Sequence, residues 1–329
     1  MPDRMRAARY HEHGEPDVLA VEEVPKPTPD REEVLVETRA AGINPIDTYV
    51  MAGDSTPADG LPAIAGSDLA GIVVDVGEDV TKYELGDWVY ATALGIHDQG
   101  SLAEYVPVPV DILAPLPESV SFTDGAAAAM AFATAWRGLI TRGELRLGES
   151  CLIAGAAGGV GHAGVQVATE AGATVIGLAR KEGTDEFVRE QGVDSVVDYR
   201  SDELADEISA AVGDGLDVAL ETHADANLIP EVEAAARGGR IVVLGEEGPI
   251  EIDPGLSMSA KKSDLDVRFM SIAASRDDHA SLLTSVAPLL AEGTFIPSID
   301  SQFPLDEAVG AYRRLSESGV RGCVVVTFE

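Results

Sequence analysis

Short apolar segments separated by glycine and proline dominate the first 120 residues of the chain. Apolar and polar positions that alternate over about four to eight residues, with turn residues between the segments, are typical of strands in an antiparallel sheet. The pattern therefore predicts a compact β-barrel with strands over residues 17–24, 33–41, 70–76, 88–92 and 103–108.

From about residue 123 the pattern changes to helices that alternate with short apolar runs. This alternation is typical of βαβ units and predicts a doubly wound parallel sheet, with strands over residues 150–153, 174–178, 195–197, 218–221 and 240–244. A helix over 305–318 and a last strand over 323–328 are expected to return to the N-terminal domain. The predicted fold class is α/β, with one domain over 1–122 completed by 298–329 and a second domain over 123–297.

A glycine-rich turn lies between the first strand of the predicted parallel sheet and a helix over residues 160–170. Glycines at positions 155, 158, 159 and 161 allow a tight turn close to a phosphate, towards which the first N–H groups of the helix point. This context favours a dinucleotide site over the alternative, a glycine-rich turn without a ligand. The residues expected to line the pyrophosphate are Ala156, Ala157, Gly158, Gly159, Val160 and Gly161.

The residues after the second strand of this sheet indicate which nicotinamide cofactor is bound. Enzymes that use NAD usually have an acidic residue there, because it binds the ribose 2′-hydroxyl. This chain has Arg180 and Lys181, and two adjacent cations favour the 2′-phosphate of NADPH. The alternative, that both are ordinary surface charges, is weakened because the chain has only five lysines. NADPH is the expected cofactor.

The chain is strongly acidic, since 57 Asp and Glu residues against 23 Lys and Arg give a formal net charge of −34. A surface of this sign repels nucleic acids and acidic membranes, so neither is an expected partner. The acidic residues are spread along the chain and lysine is scarce. We therefore expect adaptation to high salt, where screening reduces self-repulsion.

The two cysteines, Cys151 and Cys323, lie in predicted apolar strands and are expected in the core, which leaves no disulfide framework and no zinc-binding cysteine cluster. The first ten residues lack the apolar region of a signal peptide, and no run of about 18 apolar residues occurs. We expect a soluble, cytoplasmic protein.

Eight segments of the chain carry a resemblance to a known family: residues 41–50 (AGINPIDTYV), 66–71 (GSDLAG), 86–87 (GD), 103–105 (AEY), 133–136 (ATAW), 156–161 (AAGGVG), 238–241 (GGRI) and 250–254 (IEIDP). With these segments the chain resembles the zinc-free quinone oxidoreductases of the zeta-crystallin type, a branch of the medium-chain dehydrogenase/reductase superfamily. The resemblance implies a GroES-like barrel domain completed by the C-terminal segment, an inserted Rossmann domain, and an active site in the cleft between them.

The resemblance also implies that no metal is used. In zinc-dependent members of the superfamily a ligand cysteine would fall near Asn44, and a Gly-His-Glu sequence near Gly66, Ser67 and Asp68. This chain has neither metal ligand, and it lacks the lobe with four cysteines. Because no Lewis acid would polarise an alkoxide, oxidation of a simple alcohol is disfavoured.

The expected acceptor is therefore already electron-poor, either a quinone or an alkene conjugated to a carbonyl, and needs mainly proximity to NADPH. The resemblance places Tyr49 beside the nicotinamide and the substrate, where its ring could stack and its hydroxyl could donate to a developing oxyanion. It places Asn44 in the same cleft as an amide donor. The alternatives are a partly buried aromatic residue at a domain edge for Tyr49 and a turn residue before Pro45 for Asn44.

Further cofactor contacts follow from the resemblance alone. It implies that Thr134 lies near the nicotinamide carboxamide or the pyrophosphate, with a purely structural role as the alternative, and that Phe269 edges the nicotinamide pocket. Arg321 stands in a segment where many relatives have a lysine, and it would supply the displaced charge. The remaining expected contacts are Tyr199, Asn227, Leu244 and Gly245, whereas His223 has no reliable counterpart and is left out.

NADPH-dependent reduction of a quinone is the preferred interpretation of the sequence. Reduction of α,β-unsaturated aldehydes or ketones is the main alternative, because the two activities share a fold and a cofactor site. A crystallin-like structural role or RNA binding is disfavoured by the net charge, since phosphate contacts require clustered Lys and Arg. We expect a homodimer formed through an edge strand over residues 267–273, with a tetramer as the alternative.

Overall fold

The computed structural model describes residues 3–54, 57, 60–96 and 98–328, and it describes Lys181 only through its backbone. The chain forms two compact units. The first consists of Met1–Ala133 with Ser275–Glu329, and the second of Thr134–Ala274. The C-terminal segment therefore belongs to the same unit as the N-terminal region.

The division into units differs from the domain boundaries expected from the sequence. Residues 123–133 and 275–297, which we expected in the parallel-sheet domain, belong to the first unit. Hydrogen bonds connect both segments to that unit. The Cys323 thiol donates to the Ala127 carbonyl (3.2 Å), and the buried Tyr90 hydroxyl donates to the Leu283 carbonyl (2.5 Å). An alternating pattern of helices and strands does not show which unit a helix packs against, so tertiary contacts decide the division.

The first unit begins with a β-rich region. Its elements are β1 (Arg4–Tyr10), a 3-10 turn (Pro16–Val18), β2 (Ala20–Pro25), β3 (Glu33–Ile43), α1 (Pro45–Ala52), β4 (Ala63–Ile64), β5 (Leu69–Val76), β6 (Trp88–Ala91), β7 (Tyr105–Pro109), β8 (Leu113–Pro115) and α2 (Phe122–Trp136), whose last three residues belong to the second unit. The predicted strand over 17–24 begins too early, because the Pro16 carbonyl accepts from the Leu19 N–H (3.1 Å) and closes the 3-10 turn. The other four predicted strands are confirmed, and β1, β4 and β8 were missed.

The second unit alternates helices and strands. Its elements are a π-helical turn (Arg137–Arg142), β9 (Ser150–Ala154), α3 (Gly159–Glu170), β10 (Thr174–Ala179), α4 (Lys181–Glu190), β11 (Ser195–Asp198), α5 (Leu204–Val212), β12 (Leu216–Glu221), α6 (Ala224–Ala234), β13 (Ala235–Val243), α7 (Pro254–Lys262) and β14 (Asp266–Phe269). The strands pair in parallel in the order β11-β10-β9-β12-β13-β14. The strand order reverses between β9 and β12, and nucleotides bind at the carboxyl edge of such a reversal.

The doubly wound parallel sheet predicted from the sequence is therefore confirmed, with all five of its predicted strands. The candidate edge strand is observed as β14, over Asp266–Phe269 rather than 267–273, and is the last strand of the sheet. Buried apolar side chains of neighbouring strands, among them Leu152, Ile176 and Ala219, contribute to the core of this unit.

The chain then returns to the first unit. The remaining elements are a 3-10 segment (Ala273–Asp278), α8 (His279–Ala291), β15 (Ile299–Pro304), a 3-10 turn (Leu305–Glu307), α9 (Ala308–Leu315) and β16 (Cys323–Thr327). The main sheet of the first unit has the order β15-β16-β3-β5-β6-β8, with β7 paired to β3, and a smaller sheet has the order β2-β1-β4. Since β16 is antiparallel to β3, the predicted return of the C-terminal strand is confirmed.

Candidate functional site

Three polar residues of the first unit lie at one edge of its main sheet. β3 ends one residue before Asn44, β5 begins one residue after Asp68, and β6 ends one residue before Thr92. β5 is antiparallel to both of its neighbours. Because adjacent antiparallel strands run in opposite directions, these three ends meet at the same edge.

Asn44 is the N-cap residue of α1, and three hydrogen bonds hold it. Its backbone N–H donates to Asp47 Oδ2 (2.9 Å), and its side-chain amide donates to Ser67 Oγ (2.9 Å) and Asp68 Oδ2 (2.8 Å). Both amide hydrogens are therefore engaged, and Asn44 must release one of these bonds before it can donate to a substrate. In this structure it holds Ser67 and Asp68 in place.

Asp68 is only 1% exposed and receives hydrogen bonds from three parts of the unit. Its Oδ1 accepts from the Thr92 hydroxyl (2.6 Å), and its Oδ2 accepts from the Met130 N–H (3.1 Å) and from Asn44. Three donors around one carboxyl group stabilise its ionised form. The network connects α1, β6 and α2 through this carboxyl group.

Burial raises the pKa of both carboxyl groups in this network. The pKa of Asp47 is raised to about 8 and that of Asp68 to about 7, chiefly because the ionised forms lose their hydration. Hydrogen bonds from Asn44, Ser67 and Thr92 oppose the rise, and the charge of Asp68 adds to the rise at Asp47. Both carboxyl groups therefore titrate near neutral pH.

Tyr49 lies on the other face of α1. The buried residues of this helix are Asp47, Val50 and Met51, whereas 52% of the Tyr49 surface is exposed. An exposed ring with a polar hydroxyl can stack on a planar molecule and donate a hydrogen bond to it. The role of Tyr49 beside a substrate remains a prediction.

Within the described ranges, no three His, Cys, Asp or Glu side chains come together in an arrangement that could hold a metal ion. Both cysteines are buried, as predicted, and burial raises the pKa of Cys323 to about 12. Neither cysteine therefore has the character of a reactive thiolate. None of the described helices is long and apolar enough to cross a membrane.

The glycine-rich turn of the second unit joins β9 to α3 and leaves no room for side chains at two positions. Gly155 has a φ of +61°, in the left-handed region, and its carbonyl accepts from the Gly158 N–H (2.8 Å). A Cβ on Gly161 would lie 2.0 Å from the Gly155 carbonyl oxygen, which would force the backbone to move. The turn itself therefore requires glycine at both positions.

This turn presents the N-terminus of α3, a 12-residue helix, to an anion. The first N–H groups of an α-helix have no partner within the helix, so the N–H groups of residues 159–161 are available as donors. Residues 157–160 are partly exposed, whereas Ala156 is fully buried beneath the turn. Available donors, the positive end of a helix and the absence of side chains at Gly158, Gly159 and Gly161 fit the pyrophosphate of a dinucleotide.

His162, which the sequence analysis did not single out, supports the turn from within the core. It is fully buried, and its Nδ1 lies 3.1 Å from the Gly158 carbonyl oxygen, so Nδ1 carries the hydrogen and donates. Burial lowers the pKa of the imidazole to about 4. A neutral ring therefore holds the turn in shape at physiological pH.

Arg180 and Tyr199 follow neighbouring strand ends. β10 and β11 are parallel and Ala179 pairs with Asp198, so the next residue of each strand lies at the same level of the sheet. Arg180 is exposed, with its Nε 3.3 Å from the Glu182 carbonyl oxygen, and 47% of Tyr199 is exposed. A cation and an aromatic ring thus stand at the edge where NAD enzymes usually have an acid.

Two further basic residues belong to this edge. The side chain of Lys181, the second predicted phosphate ligand, lies outside the described residues. Arg200 was missed by the sequence analysis, although a basic residue three positions after the end of a predicted strand was a usable signal. It pairs with Asp198 (3.0 Å), and because the guanidinium is about half exposed this ion pair is weak enough to exchange for a phosphate.

The ends of β12 and β13 converge on the glycine-rich turn. A Cβ on Gly155 would lie 3.0 Å from Thr222 Oγ1, and a Cβ on Gly245 would lie 3.0 Å from the Thr222 carbonyl oxygen. The Leu244 N–H donates to the Glu221 carbonyl (2.7 Å). The structure therefore brings the predicted contacts Leu244 and Gly245 to the same strand ends as the turn.

Asn227, another predicted contact, is buried rather than presented at this edge. It is 5% exposed, and its amide donates to Glu221 Oε1 (3.3 Å). His223, which the sequence analysis left out, is half exposed, and its Nδ1 lies 2.9 Å from Thr222 Oγ1. α6 begins at the next residue and turns Asn227 towards the core, so His223 is the residue that the sheet edge presents.

Of the three remaining predicted contacts, Phe269 lies beside these strand ends, because it pairs with Val243 at the end of β13, whereas Thr134 and Arg321 do not. Thr134 is buried, and its Oγ1 has no hydrogen-bond partner within the described part of the chain. Phe269 is the last residue of β14 and is 62% exposed. Arg321 belongs to the first unit, where its backbone N–H donates to Asp300 Oδ1 (3.0 Å). Their cofactor contacts remain predictions.

Two protein-family models match the chain. One, described as the alcohol dehydrogenase GroES-like domain, covers residues 30–118, and the other, described as zinc-binding dehydrogenase, covers residues 191–326. Together they account for most of both the β-rich region and the parallel sheet from β11 onwards.

Full-length relatives extend these matches. A quinone oxidoreductase of Mus musculus is 34% identical over 327 residues, which cover 98% of this chain and 97% of that protein. A 2-methylene-furan-3-one reductase of Solanum lycopersicum is 31% identical over 340 residues, which cover 99% of this chain and 80% of that protein. The solved structure of the quinone oxidoreductase from Coxiella burnetii matches with a TM-score of 0.86 at 27% identity, over 99% of this chain and 100% of that one.

Proposed function

Because the chain belongs to the medium-chain dehydrogenase/reductase superfamily, we propose that it is an NADPH-dependent quinone reductase that uses no metal. The observation that carries this proposal is the turn at the start of α3, which requires glycine at positions 155 and 161 and precedes the free N–H groups of a 12-residue helix. Arg180 stands where an acid would select NADH. The quinone oxidoreductases among the relatives support the choice of acceptor.

A nicotinamide cofactor supplies the hydride, and the chain contributes binding and orientation. The N–H groups of residues 159–161 hold the pyrophosphate at the positive end of α3. Arg180 binds the 2′-phosphate through charge-assisted hydrogen bonds, with Lys181 as its expected partner and Arg200 as a further cation within the described edge. Tyr199 packs on the adenosine side of the same edge.

The network around Asn44 supports a reaction without a metal. Where zinc-dependent members of the superfamily have cysteine and histidine ligands, this chain has Asn44, Ser67 and Asp68, which hydrogen-bond to one another. An amide, a hydroxyl and a carboxyl group are a poor ligand set for zinc, which is usually bound by thiolates and imidazoles. A quinone is electron-poor already and needs no Lewis acid to accept a hydride.

Tyr49 is the residue to which we assign contact with the acceptor. About half of Tyr49 is exposed on α1, and its hydroxyl can donate to the quinone oxygen that gains negative charge. Asn44, whose amide is engaged, acts by fixing the N-terminus of the same helix. Tyr49→Phe should therefore lower kcat with the quinone while the Kd for NADPH stays unchanged.

Reduction of an α,β-unsaturated aldehyde or ketone is the second candidate. It is favoured by the Solanum lycopersicum relative, a 2-methylene-furan-3-one reductase that matches nearly the whole chain. Both reactions deliver a hydride from the same cofactor to an electron-poor acceptor, so features of the nucleotide site support both equally.

NADPH oxidation followed by absorbance in molar KCl tests the proposal, with an ortho-quinone and a 2-alkenal offered separately and NADH run alongside. Turnover with the quinone and a preference for NADPH are expected. Turnover with the alkenal alone would assign the protein to the second candidate, and equal rates with NADH and NADPH would contradict the role given to Arg180.

We also propose a homodimer formed through β14. This strand is the last of the parallel sheet, and Val267 and Phe269 on it are 38% and 62% exposed. An edge strand with exposed apolar side chains favours pairing with a second copy of the chain. Light scattering in molar KCl should give twice the mass of one chain, whereas a fourfold mass would indicate the tetramer and a single mass would contradict both.

A further inference from the structure

Two glutamates are in contact inside the second unit. Glu221 is the last residue of β12 and Glu231 lies on α6, and both are fully buried. Their carboxyl groups interact directly with each other. Among the described residues, no N–H or hydroxyl group donates to Glu221 Oε2 or to either oxygen of Glu231.

Within the described part of the chain, no cation lies close enough to neutralise this pair. The charged groups on the elements around α6, and on α6 itself, are exposed or bonded elsewhere: Lys261 and Lys262 of α7, Arg237 and Arg240 of β13, Asp206 and Glu207 of α5, Asp217 of β12, and Asp225 and Glu233 of α6. Two ionised carboxylates in contact in a buried site repel each other strongly. Glu231, whose pKa is raised by burial and by the charge of Glu221, therefore keeps its proton in the folded protein.

The same pair is connected to the nucleotide site. Glu221 Oε1 accepts hydrogen bonds from the His223 N–H and from the Asn227 amide. Thr222 Oγ1 and His223 Cε1 lie 3.0 Å and 4.0 Å from where a Cβ on Gly155 would be. Contacts therefore run from Glu231, through Glu221, to the residues that border the glycine-rich turn.

We propose that Glu231, by donating to Glu221, is a positioning residue for the nicotinamide cofactor and keeps residues 222–227 against the glycine-rich turn. The inference rests on the nucleotide site of the proposed function and is independent of the acceptor. It assigns a role in cofactor binding to two glutamates that do not reach the surface.

The direction of the pH effect follows from the pair. Burial and the charge of Glu221 raise the pKa of Glu231 well above its usual range. While Glu231 is protonated it donates to Glu221, whose Oε1 remains available to His223 and Asn227. As the pH rises through the raised pKa, the proton leaves to solvent, the two carboxylates repel each other, and the end of β12 separates from α6. Cofactor affinity should fall.

Titration of the apoprotein with NADPH and with NADH, followed by nucleotide fluorescence in molar KCl between about pH 6 and pH 9, tests this inference. The Kd of the wild type should rise about tenfold with pH, which corresponds to about 1.4 kcal/mol. NADH is included because it lacks the 2′-phosphate, which itself titrates near about pH 6. The rise should appear with both nucleotides.

Two variants show which carboxyl group causes the pH dependence of the Kd. Glu231→Gln keeps a donor towards Glu221 but cannot ionise, so its Kd should stay low and independent of pH. Glu233→Gln removes an exposed carboxylate two residues further along α6 and should follow the wild type. A pH slope in Glu231→Gln equal to that of the wild type would overturn the inference, as would a wild-type Kd that does not change with pH.

Hydrogen exchange of the wild-type apoprotein provides a second measurement if Glu231→Gln does not fold. Protection of the amides of residues 222–227 should fall with rising pH relative to the amides of β10, and an unchanged ratio would overturn the inference. Nucleotide binding without quinone turnover would contradict the proposed acceptor and leave this inference standing. Failure to bind either nucleotide at any pH would overturn both.

Discussion

Replacement of Asp47 by asparagine should make the stability of the first unit less dependent on pH. Asp47 is buried, and its pKa is raised to about 8, chiefly by loss of hydration. The folded state therefore binds more protons than the unfolded state between pH 3.8 and about pH 8. The stability that protonated Asp47 contributes is fully present below that window and is lost as the pH rises through it.

The size of the pKa shift sets the magnitude. A rise from 3.8 to about 8 is about four units, and at about 1.36 kcal/mol per unit the largest possible loss of stability is about 6 kcal/mol. Local relaxation and entry of water reduce such penalties, so we expect about 2 to 3 kcal/mol between about pH 5 and pH 8. Asparagine is neutral throughout, and Asp47→Asn should gain this amount relative to the wild type over that range.

Urea unfolding in molar KCl, followed by tryptophan fluorescence, measures the effect. The chain has two tryptophans, of which Trp88 is in the first unit and Trp136 is in the second. A Trp136→Phe background therefore leaves Trp88 as the reporter of the unit that contains Asp47. Asp54→Asn is the matched control, because it removes an exposed carboxylate just after the same helix.

The reasoning would be refuted if the difference in unfolding free energy between Asp47→Asn and the wild type were the same at about pH 5 and about pH 8, since Asp47 would then be ionised in the folded protein over the whole range. An equal pH effect in Asp54→Asn would assign the result to the overall acidic charge instead.

Three further predictions concern the second unit and the surface. Arg180→Ala should raise the Kd for NADPH about tenfold and leave the Kd for NADH nearly unchanged in fluorescence titrations. Arg189→Ala, on the helix that follows Arg180, is the control. Equal changes for both nucleotides would contradict a 2′-phosphate contact. Gly161→Ala should abolish nucleotide binding in the same titrations, because its Cβ would lie 2.0 Å from the Gly155 carbonyl oxygen. Gly158→Ala places its Cβ 3.4 Å from the same oxygen and should retain most of the nucleotide affinity. The melting temperature should rise with KCl concentration because screening weakens the repulsion of a −34 chain, and a constant value would exclude salt adaptation.

The parallel sheet could be predicted because its central strands, β9, β10 and β12, are buried on both faces. Every residue of β9 is buried, so the strand appears in the sequence as a continuous apolar run before the glycines. β1 was missed for the opposite reason, since three arginines interrupt its seven residues. Arg6 on this strand pairs with Glu104 (2.9 Å), and such a long-range ion pair leaves no local pattern.

The buried carboxyl groups could not be predicted in the same way. The chain has 57 acidic residues, and Asp68, Glu221 and Glu231 have no local feature that separates them from acids on the surface. Only for Asp47 was a signal present, because an acid three residues after Asn44 and just inside a helix is typical of a capping box. The fold determines the others, by bringing together strand ends and a helix that are distant in the sequence.

Buried and exposed acids should respond to salt in different ways, which makes their effects separable. Repulsion among exposed carboxylates is screened over about 10 Å at 0.1 M salt and over less at molar concentrations, whereas a pair without solvent access is screened much less. The pH effects attributed to Asp47 and to the Glu221 and Glu231 pair should therefore persist in molar KCl, because all three groups are buried. A pH effect that disappears as KCl is raised belongs to the acidic surface, so the same titration at two salt concentrations assigns each effect to its source.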